Sequence, residues 1–149
     1  MAFANRLQPS PKKMIIYKSG FLTLHYTPST DILTVNFPPV EDILNTEISR
    51  SFGIIVECTR NYDIKKLLFD ARGTQVEVQE ETFAPIISHF VKSLATTRVQ
   101  KIARVASSNL FKEHVVKRVF NDTKLLIQFQ SFTELEPAVD WLTQAGIEG

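Results

Sequence analysis

The feature that most constrains this chain is a short apolar run, Leu67-Leu68-Phe69, without the polar–apolar alternation of a half-exposed strand. Such a run suits a strand that is covered on both faces, as in α/β proteins with helices on either side of the sheet. Ligand and partner sites in such proteins lie just beyond the carboxyl ends of the strands. The polar turn that follows, residues 70–74, is therefore the first candidate for a site.

Strand and helix signals alternate along the rest of the chain. Two alternating segments joined by a polar turn, residues 21–26 and 32–37, predict a β-hairpin. Further strands are predicted at 65–70, 101–106 and 125–129, and helices at 44–61, 82–94, 110–120 and 133–146. The order β-β-α-β-α-β-α-β-α predicts an α/β fold with a mixed, mostly parallel five-stranded sheet and about four helices.

Cap signals set the predicted helix ends. Asn45 is the expected N-cap of the first helix and Thr82 that of the second, which puts Pro85 at the third helical position. The last helix begins at a capping box near Thr133 and ends at Gly146.

Length and composition predict one domain. Pro9 and Pro11 disfavour helix, so residues 1–16 are expected to be an N-terminal tail and residues 17–149 a single domain. The formal charge of +1 argues against a nucleic-acid partner. No apolar stretch approaches the roughly 20 residues of a membrane span. With Cys58 as its only cysteine and no signal-peptide pattern, the chain is expected to be cytoplasmic.

Catalytic and metal-binding patterns are missing from the sequence. No nucleophile has a neighbouring base, and no paired carboxylates occur, so no enzyme activity is expected. His25, His89 and His114 lack second ligands at metal spacing, so neither a metal nor another cofactor is predicted. His89 is expected to be a partly buried, hydrogen-bonded residue. Residues 82–132 carry eight basic and two acidic side chains, either as a surface for an anionic partner or as ordinary solvated stems.

Two segments and the order of elements resemble a known family. Residues 59–70 and 97–103 resemble stretches of small single-domain bacterial STAS-like proteins, and the topology is similar to the STAS domain over residues 17–146. This group contains the anti-anti-sigma factors, and the SpoIIAA-like proteins share the fold. The resemblance implies a regulatory protein-interaction module rather than an enzyme.

The resemblance also bears on the candidate turn. In anti-anti-sigma factors the corresponding strand ends Asp-Ser-Ser-Gly, and phosphorylation of the second serine breaks a protein interface. Here Asp70 and Gly73 match the pattern, but Ala71 and Arg72 replace the serines, so the usual phosphorylatable serine is lacking. Thr74 is the nearest hydroxyl. Arg72 either holds an anion or pairs with a nearby acid, Asp70 or Glu77.

Two functions follow as alternatives. The first is a non-enzymatic interaction module that binds a protein partner, or another copy of itself, through Asp70, Arg72, Gly73, Thr74 and the second helix. The second is a SpoIIAA-like carrier that holds a small apolar or lipid-like ligand in a pocket between sheet and helices. An exposed apolar surface would favour the module, whereas an enclosed apolar pocket would favour the carrier.

Overall fold

Six strands and four helices make up the part of the chain that a computed structural model describes, namely residues 12–37, 45–73, 80–123 and 126–144. In chain order they are β1 (Met14–Lys18), β2 (Thr23–Thr27), β3 (Ile32–Asn36), α1 (Asn45–Asn61), β4 (Lys66–Asp70), α2 (Glu80–Leu94), β5 (Lys101–Val105), α3 (Leu110–Thr123), β6 (Gln128–Phe132) and α4 (Leu135–Thr143). The α/β class and the four helices are confirmed. Among these helices, none combines the length and the apolar character needed to cross a membrane.

The strands lie in one mixed sheet in the order in which they occur along the chain. The pairs β1–β2 and β2–β3 are antiparallel, whereas β3–β4, β4–β5 and β5–β6 are parallel. The predicted hairpin and the parallel strands after it are therefore present. Each of the three parallel connections contains a single helix, and consecutive strands are neighbours throughout the sheet.

The predicted number of five strands is wrong, because β1 forms a sixth. Residues 14–16, assigned to the tail from sequence, belong to this strand. It lies at the sheet edge with Met14 and Ile15 exposed, and its register shifts between Ile15 and Tyr17. An edge position and a bulge both disturb the alternation by which a strand is recognised in a sequence.

The last strand lies three residues later than predicted, at 128–132 rather than 125–129. The apolar residues that suggested the earlier start do not form it: Leu126 is fully exposed, and Leu125 lies outside the described residues. Pairing begins instead where the N–H of Gln128 donates to the carbonyl oxygen of Gln100, at 2.9 Å. An edge strand is half solvated, so it tolerates the polar residues that the sequence pattern assigned to a loop.

Helix ends differ from the predicted caps. Asn45 is the first residue of α1 rather than its cap, and α2 begins two residues before Thr82, so that Pro85 is the sixth residue of its helix. Glutamate has a high helix propensity, which favours the earlier start at Glu80. The N-cap of α4 is Glu134 in extended conformation, without a side-chain capping bond. The predicted end at Gly146 lies outside the described residues.

Strand β4 is buried on both faces, as its apolar run predicts. Leu67 and Phe69 belong to the larger core cluster, with residues of α1, α2 and α3. Leu68 belongs to the smaller cluster, with Ala138 and Leu142 of α4. Three helices therefore cover one face of the sheet and α4 packs on the other.

Lys101 anchors the carboxyl end of α4 to the sheet. Its Nζ donates hydrogen bonds to the carbonyl oxygens of Trp141 (3.2 Å) and Gln144 (3.5 Å). The same ammonium lies 5.1 Å from the centre of the Trp141 ring. A cation at this position compensates the negative end of the helix dipole and the unpaired carbonyls of the last turn.

Candidate functional site

The candidate turn at the end of β4 is closed by an ion pair between two of the predicted site residues. Arg72 donates from Nε to Asp70 Oδ1 (2.9 Å) and from Nη2 to Oδ2 (2.7 Å). The backbone N–H of Arg72 also donates to Oδ1, at 3.2 Å. The side chain of Asp70 is 15% exposed and that of Arg72 49%. The carboxylate is therefore mostly buried, whereas about half of the arginine side chain is in contact with solvent.

This pairing sets the charge of the turn. The hydrogen bond from Arg72 is the main cause that holds the pKa of Asp70 below its ordinary value, and Asp70 in turn raises the pKa of Arg72. The positive charge of Lys13 adds to the lowering at Asp70. The turn therefore presents a neutral ion pair rather than a free cation, and the pairing of Arg72 with Asp70 agrees with the simpler of the two interpretations given above.

The other positions of the turn have different surroundings. Ala71, which replaces the first serine of the family pattern, is buried and donates its N–H to the carbonyl oxygen of Val105 at 2.9 Å. Gly73 is exposed, and a Cβ added there would meet nothing within 4 Å. Thr74 lies outside the described residues. The structure thus brings Asp70 and Arg72 together, and a partner contact at these four residues stays a prediction.

A second ion pair, which the sequence did not reveal, lies at the end of β5. Arg104 donates from Nε to Glu113 Oε1 (2.7 Å) and from Nη2 to Oε2 (3.0 Å). The N–H and the hydroxyl of Ser107 donate to the same Oε2, at 3.0 and 2.6 Å. Burial alone would raise the pKa of Glu113, but Arg104 and Ser107 hold it below its ordinary value. An arginine inside an apolar strand was the available signal, since a buried cation needs a partner.

Lys112 lies beside this pair with only 3% of its surface exposed. Its N–H donates to Asn109 Oδ1 at 3.0 Å, which places Asn109 as the cap of α3. The pKa of Lys112 is lowered to about 8, mainly by burial and also by the charge of Arg104, while Glu113 acts in the opposite direction. The hydrogen bonds of Arg104 and Ser107 to Glu113 tie the end of β5 to α3, whereas burial of the Lys112 charge opposes folding.

Among the described residues, a groove lies between α1 and α2, with a volume of about 620 Å³. Its residues are Ser49, Phe52, Gly53, Val56, Glu57 and Arg60 of α1, and Pro85, Ile86, His89, Phe90 and Ser93 of α2. The rings of Phe52 and Phe90 stack 4.3 Å apart at its floor. Phe90 packs edge-on against Phe69 of β4, at 5.9 Å, which ties the floor to the central strand.

The ends and rims of the groove are polar. Arg60 spans from α1 to the turn after α2, where Nη2 donates to Thr96 Oγ1 at 2.6 Å. Glu57 and Ser49 lie on the α1 side, and His89 lies exposed on the α2 side. The expectation that His89 is a partly buried residue is therefore wrong. Phe90 follows it in the sequence and Ile86 lies three residues before it, but the His89 side chain itself lies on the rim of the groove.

Comparison with known proteins gives no match. No protein-family model matches the chain, and none of the curated protein sequences matches it. Within the described ranges, no three His, Cys, Asp or Glu side chains lie close enough together to hold a metal ion. The function therefore has to be inferred from the geometry of these surfaces.

The ion pair in the turn predicts a change in the titration of Asp70. Replacing Arg72 by alanine removes the main cause of the lowered pKa while burial, which raises it, remains. We expect the pKa of Asp70 to be higher in Arg72→Ala than in wild type, as measured by carboxyl ¹³C NMR. Because a lowered carboxyl pKa stabilises the fold above the unfolded-state value, this variant also loses less stability on acidification.

Arg98→Ala is the matched control, because Arg98 pairs with the exposed Asp63 instead. An Asp70 titration that is the same in wild type and Arg72→Ala would contradict the ion pair.

Because Lys112 is buried, we expect the free energy of unfolding to depend on pH. The unfolded chain holds a proton on this lysine between pH about 8 and the ordinary pKa of 10.5, and the folded chain does not. The free energy of unfolding therefore rises with pH across this window. Below the window, the folded chain bears the full cost of burying the charged ammonium group. We expect Lys112→Met to be more stable than wild type at neutral pH, by roughly 1–2 kcal/mol after solvent screening. Urea unfolding should show this gain shrinking as the pH rises through the window.

Lys117→Met serves as the control, since Lys117 is exposed on the same helix. A stability difference between Lys112→Met and wild type that stays constant across the window would contradict the buried-charge account.

Proposed function

We propose that the chain is a non-enzymatic, STAS-like interaction module and that a helix of a protein partner binds in the groove between α1 and α2. The observation that carries the proposal is the apolar lining of this open groove, whose floor consists of the stacked and largely buried rings of Phe52 and Phe90. An apolar surface rimmed by polar residues is typical of a protein-binding site.

The shape of the groove suits a helix. The α1 residues that line it recur at helical spacing from Ser49 to Arg60, which corresponds to about 16 Å along the axis at 1.5 Å per residue. That length matches roughly three turns of an amphipathic helix with its apolar face on the floor. The rims offer both signs of charge and several hydroxyls, among them Glu57, Arg60 and Ser93, for the polar flanks of such a helix.

Gly53 lies near the middle of the groove, and its position also favours the binding of a partner helix. A Cβ added at this position would meet nothing within 4 Å, although glycine inside a helix costs about 0.5–1 kcal/mol relative to alanine. The absence of a side chain leaves the backbone of α1 open to close approach. A partner helix can therefore lie deepest in the groove beside Gly53.

The turn after β4 is a separate predicted contact. Asp70 shares the α4-side face of β4 with Leu68, whereas the groove lies on the side of Phe69. A partner that touches the turn meets Arg72 as a member of an ion pair, with about half of the side chain exposed. In this proposal the groove provides the binding energy, and Asp70, Arg72, Gly73 and Thr74 add polar selectivity.

A carrier of a small apolar ligand is the second candidate. The volume of about 620 Å³ lies within the roughly 300–1,000 Å³ common for ligand pockets. The space lies between two helices, however, and not between sheet and helices as the carrier hypothesis expects. Because its outer side is open to solvent, a small apolar ligand would keep exposed surface that a partner helix would cover.

A blocking substitution at Gly53 tests the proposal. A photo-reactive benzoylphenylalanine at position 53 should cross-link the partner in living cells, and the captured protein is then purified for binding measurements. Gly53→Trp should weaken its binding at least about tenfold, because the indole fills the groove where the fold leaves space. Gly53→Ala adds only a methyl group, so it should weaken binding much less than Gly53→Trp, and it should unfold at a higher urea concentration, since alanine favours the helix.

Arg50→Trp is the control for bulk, because Arg50 is exposed on α1 but does not line the groove. A captured protein that binds Gly53→Trp as tightly as wild type would exclude the groove as its site. Loss of binding in Arg50→Trp alone would place the contact on another side of α1.

A further inference from the structure

The two edges of the sheet differ in how they are protected. At one edge, β1 carries the register shift between Ile15 and Tyr17, follows Lys13 and ends at Lys18. Bulges and lysines are the devices by which proteins prevent edge strands from pairing with other chains. At the other edge, β6 (Gln128–Phe132) pairs with β5 in unbroken register and contains no charged residue and no proline.

The backbone of β6 uses one set of its polar groups to pair with β5. At the start of the strand, the N–H of Gln128 donates to the carbonyl oxygen of Gln100, at 2.9 Å. At its end, the carbonyl oxygen of Phe132 accepts from the N–H of Ala106, also at 2.9 Å. Because backbone groups of successive residues point to opposite sides of a strand, residues 128, 130 and 132 face β5.

The remaining set points away from the sheet. The N–H and carbonyl groups of Phe129 and Ser131 are directed to the free edge, and no described residue bonds them. Directly before the strand, Leu126 has its whole side chain in solvent. This edge is therefore a row of unpaired donors and acceptors next to an exposed apolar residue.

We infer that β6 pairs antiparallel with β6 of a second copy of this chain, so that the two six-stranded sheets form one continuous sheet across a two-fold axis. In this arrangement, the outward-facing residues of one β6 lie opposite outward-facing residues of the other. With the axis at Gln130, Phe129 lies opposite Ser131 of the copy, and each such pair exchanges two N–H···O=C bonds. Two symmetry-related pairs give four main-chain hydrogen bonds.

A second copy suits this edge better than a strand of another kind. At a two-fold axis, a residue lies opposite the same residue of the second copy. A charged residue on the axis would therefore meet a like charge and weaken the interface. The edge meets that condition, because Gln130 would face only its own uncharged copy. The same register places Leu126 beside the chain that follows β6 of the copy, which removes apolar surface from water.

Sedimentation equilibrium of the full chain tests the pairing. Wild type should show a concentration-dependent species at twice the chain mass of 16.9 kDa. Gln130→Lys places two ammonium groups opposite each other across the axis and should raise the dimer dissociation constant roughly three- to tenfold. Gln128→Lys is the matched control, because it adds the same charge to the same face without meeting itself, and it should dimerise like wild type.

Ser131→Pro gives a second test, because the N–H that it removes points to the free edge and not to β5. Circular dichroism should show a folded chain, while the dissociation constant rises by more than about tenfold through the loss of two hydrogen bonds. A wild type that is monomeric at every concentration overturns the inference, whether or not a foreign strand binds the edge. A dimer that persists unchanged in both Gln130→Lys and Ser131→Pro overturns it as well.

The outcome is independent of the groove proposal, since Gly53 lies on α1 and not on β6. Gly53→Trp should dimerise like wild type, so failure of either proposal can be recognised by itself.

Discussion

The burial of β4 on both faces is the constraint on which the rest of the structure depends. Leu67 and Phe69 face three helices and Leu68 faces the fourth, and each such side chain stabilises the fold by about 1.5–3 kcal/mol when it leaves water. A strand of this kind must lie inside the sheet and must have helices on both sides. The two faces of the sheet are covered unequally by helices: α1, α2 and α3 pack on one face, whereas α4 covers only part of the other. The groove between α1 and α2 arises on the crowded face, above Phe90, which packs directly on β4.

At the carboxyl ends of β4 and β5, an arginine pairs with a carboxylate of the same chain. Arg72 is held by Asp70, and Arg104 by Glu113. Both pairs are bidentate, a geometry that fixes the guanidinium plane and uses two donors at once. The positions where α/β proteins often bind ligands are thus occupied by internal ion pairs. The groove between α1 and α2 is a concave surface that the described residues leave open, and for this reason the proposed function rests on a partner helix.

Much of the fold could be predicted from the sequence, since helical periodicity and buried strands depend on local pattern. The errors lie where tertiary context decides. Strand β1 was missed and β6 displaced, because edge strands are half solvated and one of them is bulged. In the candidate site, the pairing of Arg72 with Asp70 was one of two sequence interpretations, because the residues are neighbours in the chain. The groove could not be predicted, since it depends on how far two helices separate, although Gly53 inside α1 and the wide apolar surface near Val56 were visible signals.

The central claim is that the groove serves a protein helix and not a stored small molecule. Native mass spectrometry of the purified chain, followed by denaturation and analysis of what is released, tests it most directly. The account predicts masses that are whole multiples of the 16.9 kDa chain, with nothing released on denaturation. A stoichiometric lipid-like or other apolar molecule that leaves on denaturation, and that is lost in Gly53→Trp, would contradict the account and establish the carrier.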